Sequence, residues 1–305
     1  MKSPGEDERP WEEEENRELL QGSDVSTYRA LAARANYLAL DRADIQFAAK
    51  EICRGMAQPT RGHLKRLRRL ARYLVGAPRV VWNYPFQGPV DVIDVYSDSD
   101  YAGCRRTARS TTGGVAMRGM HCLRSWCTTQ KFVTLSSAEA ELMAAVRAAT
   151  EGIGLTQLSQ SWGLATSARI LVDSSAALAV VSRKGNGKLR HVRVGHLWVQ
   201  ELAAREEVAF AKVRGTENPA DLCTKHLAAG VLVQLCKRIN LEFREGRAST
   251  SLGLNRFVVR EGPDRSASWE VAPRGRGGVL TSGLHSTDHM PASHYKCTQA
   301  VSSRV

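Results

Sequence analysis

The run Val90-Asp91-Val92-Ile93-Asp94-Val95-Tyr96-Ser97-Asp98 is apolar enough to form a central β-strand, and it ends in a carboxylate. A second apolar run, Ala168-Arg169-Ile170-Leu171-Val172-Asp173, ends in the same way. In open α/β sheets, ligand groups gather at the carboxyl ends of the strands. If the two strands are neighbours, the sequence predicts that Asp98 and Asp173 meet at one edge of a sheet.

Two further carboxylates lie on segments that are predicted to be helical. A helix begins near Ser136, where Ser136 and Glu139 match a capping box. Glu141 follows two residues later, about 200° away around the helix axis, so it is free to face the sheet while Glu139 caps. Asp221 lies in the first turn of a helix that Asn218 caps.

Each carboxylate alone has an ordinary explanation. Asp98 and Asp173 could be turn carboxylates, Glu141 a solvated helix residue, and Asp221 a residue that stabilises a helix dipole. Brought together, however, like charges raise each other's pKa, and divalent cations would resolve that conflict. Two cations held ~4 Å apart form a site that cleaves phosphodiesters.

The order of elements predicts an α/β fold with a mixed sheet and helices on both faces, preceded by a small helical segment. The predicted strands are Val80–Tyr84, Val90–Tyr96, Gly114–Met117, Cys122–Trp126, Ile170–Val172 and Val208–Val213. The helices predicted in this part of the chain are Ser136–Trp162, Ser174–Val181, Val192–Arg205 and Val231–Leu241, and a further helix begins at Pro219.

Charge and cysteine content limit the classes of function. The chain has 305 residues and a net charge of +12, which favours a polyanionic partner. Seven scattered cysteines without a Cys-x-x-Cys pair favour a reducing compartment. His121, Cys122 and Cys127 lack the spacing of a zinc site. We find no signal peptide and no stretch as long as a membrane span, so we expect a protein that is not secreted.

A basic helix is predicted after Thr60, which can act as its cap. One face of this helix is apolar, and the opposite face carries Arg61, Lys65, Arg66, Arg68, Arg69 and Arg72. Such a face is either a solvated surface or a surface that meets phosphates, and the sequence leaves both interpretations open.

The acidic residues belong to motifs that follow one another between about residues 90 and 228. These motifs are Tyr96-Ser97-Asp98-Ser99-Asp100-Tyr101-Ala102-Gly103, Arg109-Ser110-Thr111-Thr112-Gly113, Leu135-Ser136-Ser137-Ala138-Glu139-Ala140-Glu141, Val172-Asp173-Ser174-Ser175-Ala176, Arg190-His191-Val192-Arg193-Val194 and Asn218-Pro219-Ala220-Asp221-Leu222-Cys223-Thr224-Lys225. As a set they resemble the ribonuclease H domain of Ty1/copia-type retrotransposon Pol polyproteins. The stretch from Tyr28 to Ile45 resembles the end of the reverse transcriptase in the same polyproteins, but the polymerase's Tyr-x-Asp-Asp hairpin is absent.

The resemblance implies a ribonuclease H-like mixed five-stranded sheet within a fragment of a larger polyprotein. The predicted division is an acidic disordered tail over 1–24, a helical remnant of the reverse transcriptase over 25–88, a ribonuclease H-like domain over 89–228, an amphipathic helix over 229–244 and a disordered tail over 245–305. Expected partners are an RNA–DNA hybrid and other parts of the polyprotein, such as polymerase and integrase. The expected location is the cytoplasm, in a virus-like particle, or the nucleus.

The activity that the resemblance implies is hydrolysis of the RNA strand of RNA–DNA hybrids with two Mg²⁺ ions, for which Mn²⁺ is a possible substitute. The implied catalytic residues and metal ligands are Asp98, Glu141, Asp173 and Asp221. Expected contacts to nucleic acid are Ser99, Ser174, Lys184, Lys188, Arg190 and Arg193.

Two departures from the family pattern leave alternatives open. The loop Arg214-Gly215-Thr216-Glu217 lacks the His that many relatives place before the last Asp, and Arg193 stands where copia elements usually carry Asp. One alternative is a catalytically decayed remnant that still binds nucleic acid. Another is a transposase or integrase, but those families place the essential Glu last rather than second.

Overall fold

A computed structural model of the chain describes residues 14–104, 106–187 and 190–246. Within these residues the helices are α1 Ser23–Leu38, α2 Gln46–Cys53, α3 Arg61–Gly76, α4 Ser137–Ser161, α5 Ser175–Val181, α6 Trp198–Ala204 and α7 Ala229–Arg238. The strands are β1 Arg79–Trp82, β2 Val92–Asp100, β3 Thr111–Arg118, β4 His121–Thr129, β5 Ser167–Val172, β6 Val208–Lys212 and β7 Leu241–Arg244. Short 3₁₀ helices include Pro219–Cys223.

The main sheet has five strands in the order β4-β3-β2-β5-β6. Strands β2, β3 and β4 are antiparallel, whereas β5 is parallel to both β2 and β6. The two apolar runs thus form neighbouring strands in the middle of the sheet, where Ile93, Val95 and Ile170 are fully buried. The predicted mixed five-stranded α/β sheet is confirmed.

Each face of the sheet carries its own hydrophobic core. Helices α4, α5 and α6 pack on the face that presents Val95 and Ile170. The other face presents Val115 and Met117 to a core that is formed with α1, α2, α3 and α7. The helical segment before residue 88 therefore shares a core with the sheet, because it buries the apolar side of β3 and β4.

A second, two-stranded sheet joins the segment before β2 to the last strand of the described residues. Strand β1 pairs antiparallel with β7, so that Arg79 lies opposite Arg244 and Trp82 opposite Leu241. The helix predicted up to Leu241 ends at Arg238, because the following residues pair with β1 instead.

The described part of the predicted acidic tail makes contacts with the start of α3. The backbone N–H of Leu20 donates to the Pro59 carbonyl at 2.9 Å, and the Arg61 guanidinium lies 2.8 Å from the Glu18 carboxylate. Thr60 caps α3, as the sequence predicts, and accepts a hydrogen bond from the backbone N–H of His63. Residues 1–13 and the predicted tail from residue 247 lie outside the described residues.

Helix α4 lies close to the sheet because its inner side is built from small residues. Ala140, Ala144 and Ala148 are fully buried, and a Cβ added at Gly152 would lie 3.1 Å from the Ala168 side chain. The close packing of α4 determines how far its side chains reach over the edge of the sheet.

Among the described residues, no helix combines the length and apolar character needed to cross a membrane.

Candidate active site

Asp98 and Asp173 lie side by side because β2 and β5 are parallel neighbours. Ser97 is the register partner of Val172, so the residue after each occupies the same edge of the sheet. Asp173 directly follows β5, as predicted. Asp98 does not end its strand, because β2 continues to Asp100 along the antiparallel partner β3. The carboxylate of Asp98 is consequently buried, with 4% of the residue exposed.

Glu141 reaches the same place from α4. The backbone N–H and the hydroxyl of Ser99 donate to Glu141 Oε1 at 3.2 and 3.0 Å. Within the described residues, Glu141 Oε2 is buried and has no hydrogen-bond partner. Carboxylate oxygens of Asp98, Glu141 and Asp173 all lie within 4.8 Å of one another. The structure thus brings three of the four sequence-predicted carboxylates into one cluster.

Glu139 lies apart from the cluster, but the predicted capping box is incomplete, because its carboxylate accepts from the Leu135 backbone N–H rather than from that of Ser136. Its backbone N–H donates to the Ser136 hydroxyl at 3.2 Å, and its Oε2 accepts from the Leu135 backbone at 2.7 Å. His191 Nε2 lies 3.0 Å from the same oxygen. Glu139 therefore holds the start of α4, and Glu141 faces the carboxylate cluster.

Asp221 lies beside the cluster rather than within it. Its segment is attached to the sheet by Asn218, whose Nδ2 donates to the Ser97 carbonyl at 2.9 Å while its Oδ1 caps Ala220. Asp221 Oδ1 is paired with Lys225 Nζ at 2.8 Å. The fourth predicted carboxylate is thus near Asp98, but a lysine contacts it.

Two residues that contact Asp98, Thr224 and Lys225, were not predicted from the sequence as parts of the site. The Thr224 hydroxyl donates to Asp98 Oδ2, and Lys225 Nζ lies 3.9 Å from the same oxygen. Both follow Asp221 within the motif that ends at Lys225. The spacing of four residues between Asp221 and Lys225, which brings charges together on a helical turn, is the signal that could have found the lysine.

Burial and mutual repulsion raise the pKa values of the carboxyl groups. Burial is the main cause for Asp98, whose pKa rises to about 6 although Lys225 opposes the shift. Burial, followed by the charges of Asp98 and Asp173, raises the pKa of Glu141 to about 8. The pKa values of Asp173 and Asp221 are also raised, chiefly by burial. The site stores electrostatic repulsion that a bound cation would relieve.

The absence of a side chain at Gly113 lets the Asp221 segment approach the sheet. Gly113 is the register partner of Asp98 on β3. A Cβ at this position would lie 2.6 Å from Thr224 Cγ2, 2.8 Å from Cys223 Cβ and 3.0 Å from the Ala220 carbonyl oxygen. These distances are too short for carbon contacts, so the segment would have to move.

Gly113→Ala is therefore expected to lower the free energy of unfolding by about 1–3 kcal/mol, the usual effect of overpacking. Chemical denaturation of the full chain measures this. The matched control is Gly154→Ala in α4, where an added Cβ meets nothing within 4 Å and where alanine should stabilise the helix by roughly 0.5–1 kcal/mol. Equal stability changes for the two variants would contradict the close approach at Gly113.

The residues expected to contact nucleic acid differ in their structural setting. Ser99 hydrogen-bonds Glu141, and Ser174 caps α5 by accepting from the Ala177 backbone. Lys184, Arg190 and Arg193 are exposed. Lys188 lies outside the described residues. Ser99 and Ser174 thus have structural partners beside the cluster, and the three basic residues remain candidates for contacts with phosphates.

No protein-family model matches the chain. It is 25% identical over 226 residues to the retrovirus-related Pol polyprotein from transposon RE1 of Arabidopsis thaliana, covering 72% of this chain and 15% of that protein. It is 28% identical over 200 residues to the corresponding polyprotein from transposon TNT 1-94 of Nicotiana tabacum, covering 65% of this chain and 15% of the relative. This chain is a homologue of retrotransposon Pol polyproteins. The resemblance inferred from the motifs is thereby confirmed.

The chain spans about 15% of the length of these two relatives. Among solved structures, the N-terminal RNase H domain of Rv2228c from Mycobacterium tuberculosis aligns with 48% of this chain and 96% of that chain, at 17% identity and a TM-score of 0.31. The order and direction of the five strands, with helices on both faces, place the sheet in the ribonuclease H-like class.

Proposed function

We propose that this chain is a metal-dependent nuclease that hydrolyses the RNA strand of RNA–DNA hybrids. The observation that carries the proposal is the cluster of Asp98, Glu141 and Asp173, whose carboxylate oxygens lie within 4.8 Å of one another. Each of the three has a raised pKa. A purely structural role gives no reason to bring three like charges together, two of them buried, because the repulsion between them destabilises the fold.

The candidate ligand atoms fit divalent cations of the Mg²⁺ class. All candidate ligands are carboxylate oxygens, which Mg²⁺ and Mn²⁺ prefer. Glu141 Oε2, buried without a hydrogen-bond partner among the described residues, offers an open coordination position. The residues that would hold the two ions are Asp98, Glu141, Asp173 and Asp221. When bound, such ions activate a water for attack on the phosphodiester and stabilise the leaving 3′ oxygen.

Other residues of the chain position this cluster and its substrate. Ser99 orients Glu141, Asn218 attaches the Asp221 segment to the sheet, and Thr224 orients Asp98. Lys184, Arg190 and Arg193 would contact phosphates, as would Lys188. Preference for RNA requires a group that reads the 2′-hydroxyl, and we assign this role to Ser99 and Ser174.

The relatives support a nucleic acid as the substrate and a polyprotein as the setting. Both are named as Pol polyproteins of transposons, so polymerase and integrase parts are the proposed partners. A virus-like particle in the cytoplasm, or the nucleus, is the proposed location. These proposals concern the intact polyprotein, of which the chain matches only a part.

The experiment that tests the function uses the full chain with an end-labelled RNA–DNA hybrid, and with RNA and DNA duplexes of the same sequence. With Mg²⁺, the RNA strand of the hybrid should be cut to products with 5′-phosphates, whereas EDTA should stop the reaction. Cleavage of the DNA duplex at the same rate would point to a transposase-like nuclease instead.

A catalytically decayed remnant that only binds nucleic acid is the second candidate. The exposed basic residues Lys184, Arg190 and Arg193 favour it independently of the carboxylates. Contacts of this kind release counterions, so the affinity should fall steeply as salt increases. Tight, salt-sensitive binding of a hybrid that stays intact with Mg²⁺ would establish this candidate.

The raised pKa values predict how pH and Mg²⁺ affect stability. The pKa of Glu141 is raised from 4.5 to about 8, so its protonation favours the folded state, and this contribution is lost as pH rises through about 8. The metal-free melting temperature should therefore fall between pH 6 and pH 8.5. Mg²⁺ should raise it by several degrees more at pH 8.5, where protons no longer compete. Differential scanning fluorimetry measures this, and an equal effect of Mg²⁺ at both pH values would contradict it.

A further inference from the structure

The ammonium group of Lys225 lies close to two carboxylates, that of the buried Asp98 and that of the partly buried Asp221. Lys225 Nζ is 2.8 Å from Asp221 Oδ1 and 3.9 Å from Asp98 Oδ2. The side chains of Asp221 and Asp98 are only 15% and 5% exposed, whereas that of Lys225 is 46% exposed. The lysine thus extends from the surface into the acidic site, and its charge meets carboxylates that are shielded from solvent.

This contact divides the acidic site into two unequal sides. On one side, Asp98, Glu141 and Asp173 form the cluster within 4.8 Å. On the other side, Asp221 lies beside Asp98, and the Lys225 ammonium lies close to both carboxylates. A positive charge of the protein itself therefore lies within reach of Asp98 and Asp221.

We propose that Lys225 is a positioning residue whose ammonium group occupies the second metal position until a divalent ion displaces it. In this proposal, which rests on the proposed function, the three-carboxylate cluster binds one divalent ion readily. The second ion binds only when it displaces the ammonium group from Asp98 and Asp221. Lysine suits this role because its charge is compact and its stem flexible, and half of its side chain already faces solvent.

The proposed role of Lys225 differs from that of a lysine in an ordinary surface ion pair. An exposed pair four residues apart on a helical turn contributes little and leaves ion binding elsewhere unchanged. A lysine that competes with a cation must instead weaken the binding of that cation. The number and affinity of bound ions, measured without any substrate, therefore distinguish the two roles.

The test is isothermal titration of the metal-free full chain with Mn²⁺. The unaltered protein should bind one ion tightly and a second weakly. Lys225→Met should strengthen binding of the second ion roughly tenfold or more, because a competing unit charge at about 4 Å is removed. Lys225→Arg, which keeps the charge, should retain the weak second site. Lys212→Met is the matched control, since Lys212 contacts the Ser175 hydroxyl near the end of the neighbouring strand.

Melting temperatures provide a second measurement. Lys225→Met should lower the melting temperature without metal and regain it in Mn²⁺, whereas Lys212→Met should respond to Mn²⁺ as the unaltered protein does. If Lys225→Met does not fold, Lys225→Gln replaces it. Identical isotherms for Lys225→Met and the unaltered protein would overturn the role of Lys225 and leave the proposed nuclease standing. Absence of Mn²⁺ binding in every protein would overturn both.

Discussion

Replacing Asp98 with asparagine should lower the rate of RNA-strand hydrolysis on the order of a thousandfold. Asp98 belongs to the three-carboxylate cluster and also lies near Lys225, which contacts Asp221, so its charge contributes to both proposed cation positions. Loss of a metal ion's electrostatic stabilisation amounts to several kcal/mol, and each 1.36 kcal/mol corresponds to a factor of ten in rate. Asparagine keeps the shape and an oxygen that can accept from Thr224, so the fold should persist.

The control for this variant is Asp94→Asn on the same strand. Asp94 lies four residues before Asp98 and pairs with the partly exposed Arg169 at 2.6 Å. Such a pair contributes only about 0–1 kcal/mol to stability, and Asp94 lies outside the carboxylate cluster, so the rate of hydrolysis should stay close to that of the unaltered protein. Cleavage by Asp98→Asn at the rate of the Asp94→Asn protein would show that the carboxylate cluster is not the active site.

Glu141→Gln should change activity and stability in opposite directions. Hydrolysis should fall on the order of a hundredfold or more, because the neutral amide cannot balance the charge of a cation at this position. The metal-free protein should nevertheless be more stable at pH 8, since the substitution removes a buried charge that Asp98 and Asp173 repel. Single-turnover cleavage and chemical denaturation of the metal-free protein measure the two effects.

Glu139→Gln makes the same chemical change two residues away on α4. Glutamine can still accept from the Leu135 backbone N–H, so this variant should keep its hydrolysis rate within about threefold. Its free energy of unfolding should fall by about 1 kcal/mol, because Glu139 is buried and the change alters its contact with His191. If Glu141→Gln lost stability as well as activity, Glu141 would be a structural residue. If Glu139→Gln lost as much activity as Glu141→Gln, the division of roles on α4 would be wrong.

The central part of the fold could be predicted because its strands are marked by local patterns. The apolar runs that end near Asp98 and Asp173 form β2 and β5, and the spacing of Glu139 and Glu141 predicts which carboxylate caps α4 and which faces the sheet. Such patterns depend only on residues close together along the chain. Side chains on one face recur with a different period in a strand than in a helix, so the two elements can be told apart.

Pairings between distant residues could not be predicted in the same way. Strand β7 has only four residues, and its partner β1 lies about 160 residues earlier, so no local pattern marks it. The same holds for the core that α1, α2 and α3 share with β3 and β4. The helical segment was predicted as a separate domain because its composition differs from that of the following strands, whereas contact between the faces of distant elements appears only in three dimensions.

The acidic residues of the candidate site could be named from the sequence, but the residues that contact them, Thr224 and Lys225, could not. Asp98, Glu141 and Asp173 lie in the cluster and Asp221 lies beside it, whereas the sequence grouped the four through their order and the family resemblance of their motifs, and their role as metal ligands stays a prediction. The contacts of Thr224 and Lys225 with Asp98 span 126 and 127 residues and depend on the close approach at Gly113. Whether a lysine pairs with a carboxylate four residues away or with a more distant one is decided by the packing of the segment on the sheet.

A crystal of the full chain grown with Mn²⁺, with data collected at a wavelength where manganese scatters anomalously, tests the central claim most directly. The account predicts an anomalous peak at about 2.1 Å, the distance typical of Mg²⁺ sites, from carboxylate oxygens of Asp98, Glu141 and Asp173. It further predicts that the peak disappears in Asp98→Asn. A crystal saturated with Mn²⁺ that shows no peak at these three residues would contradict the account.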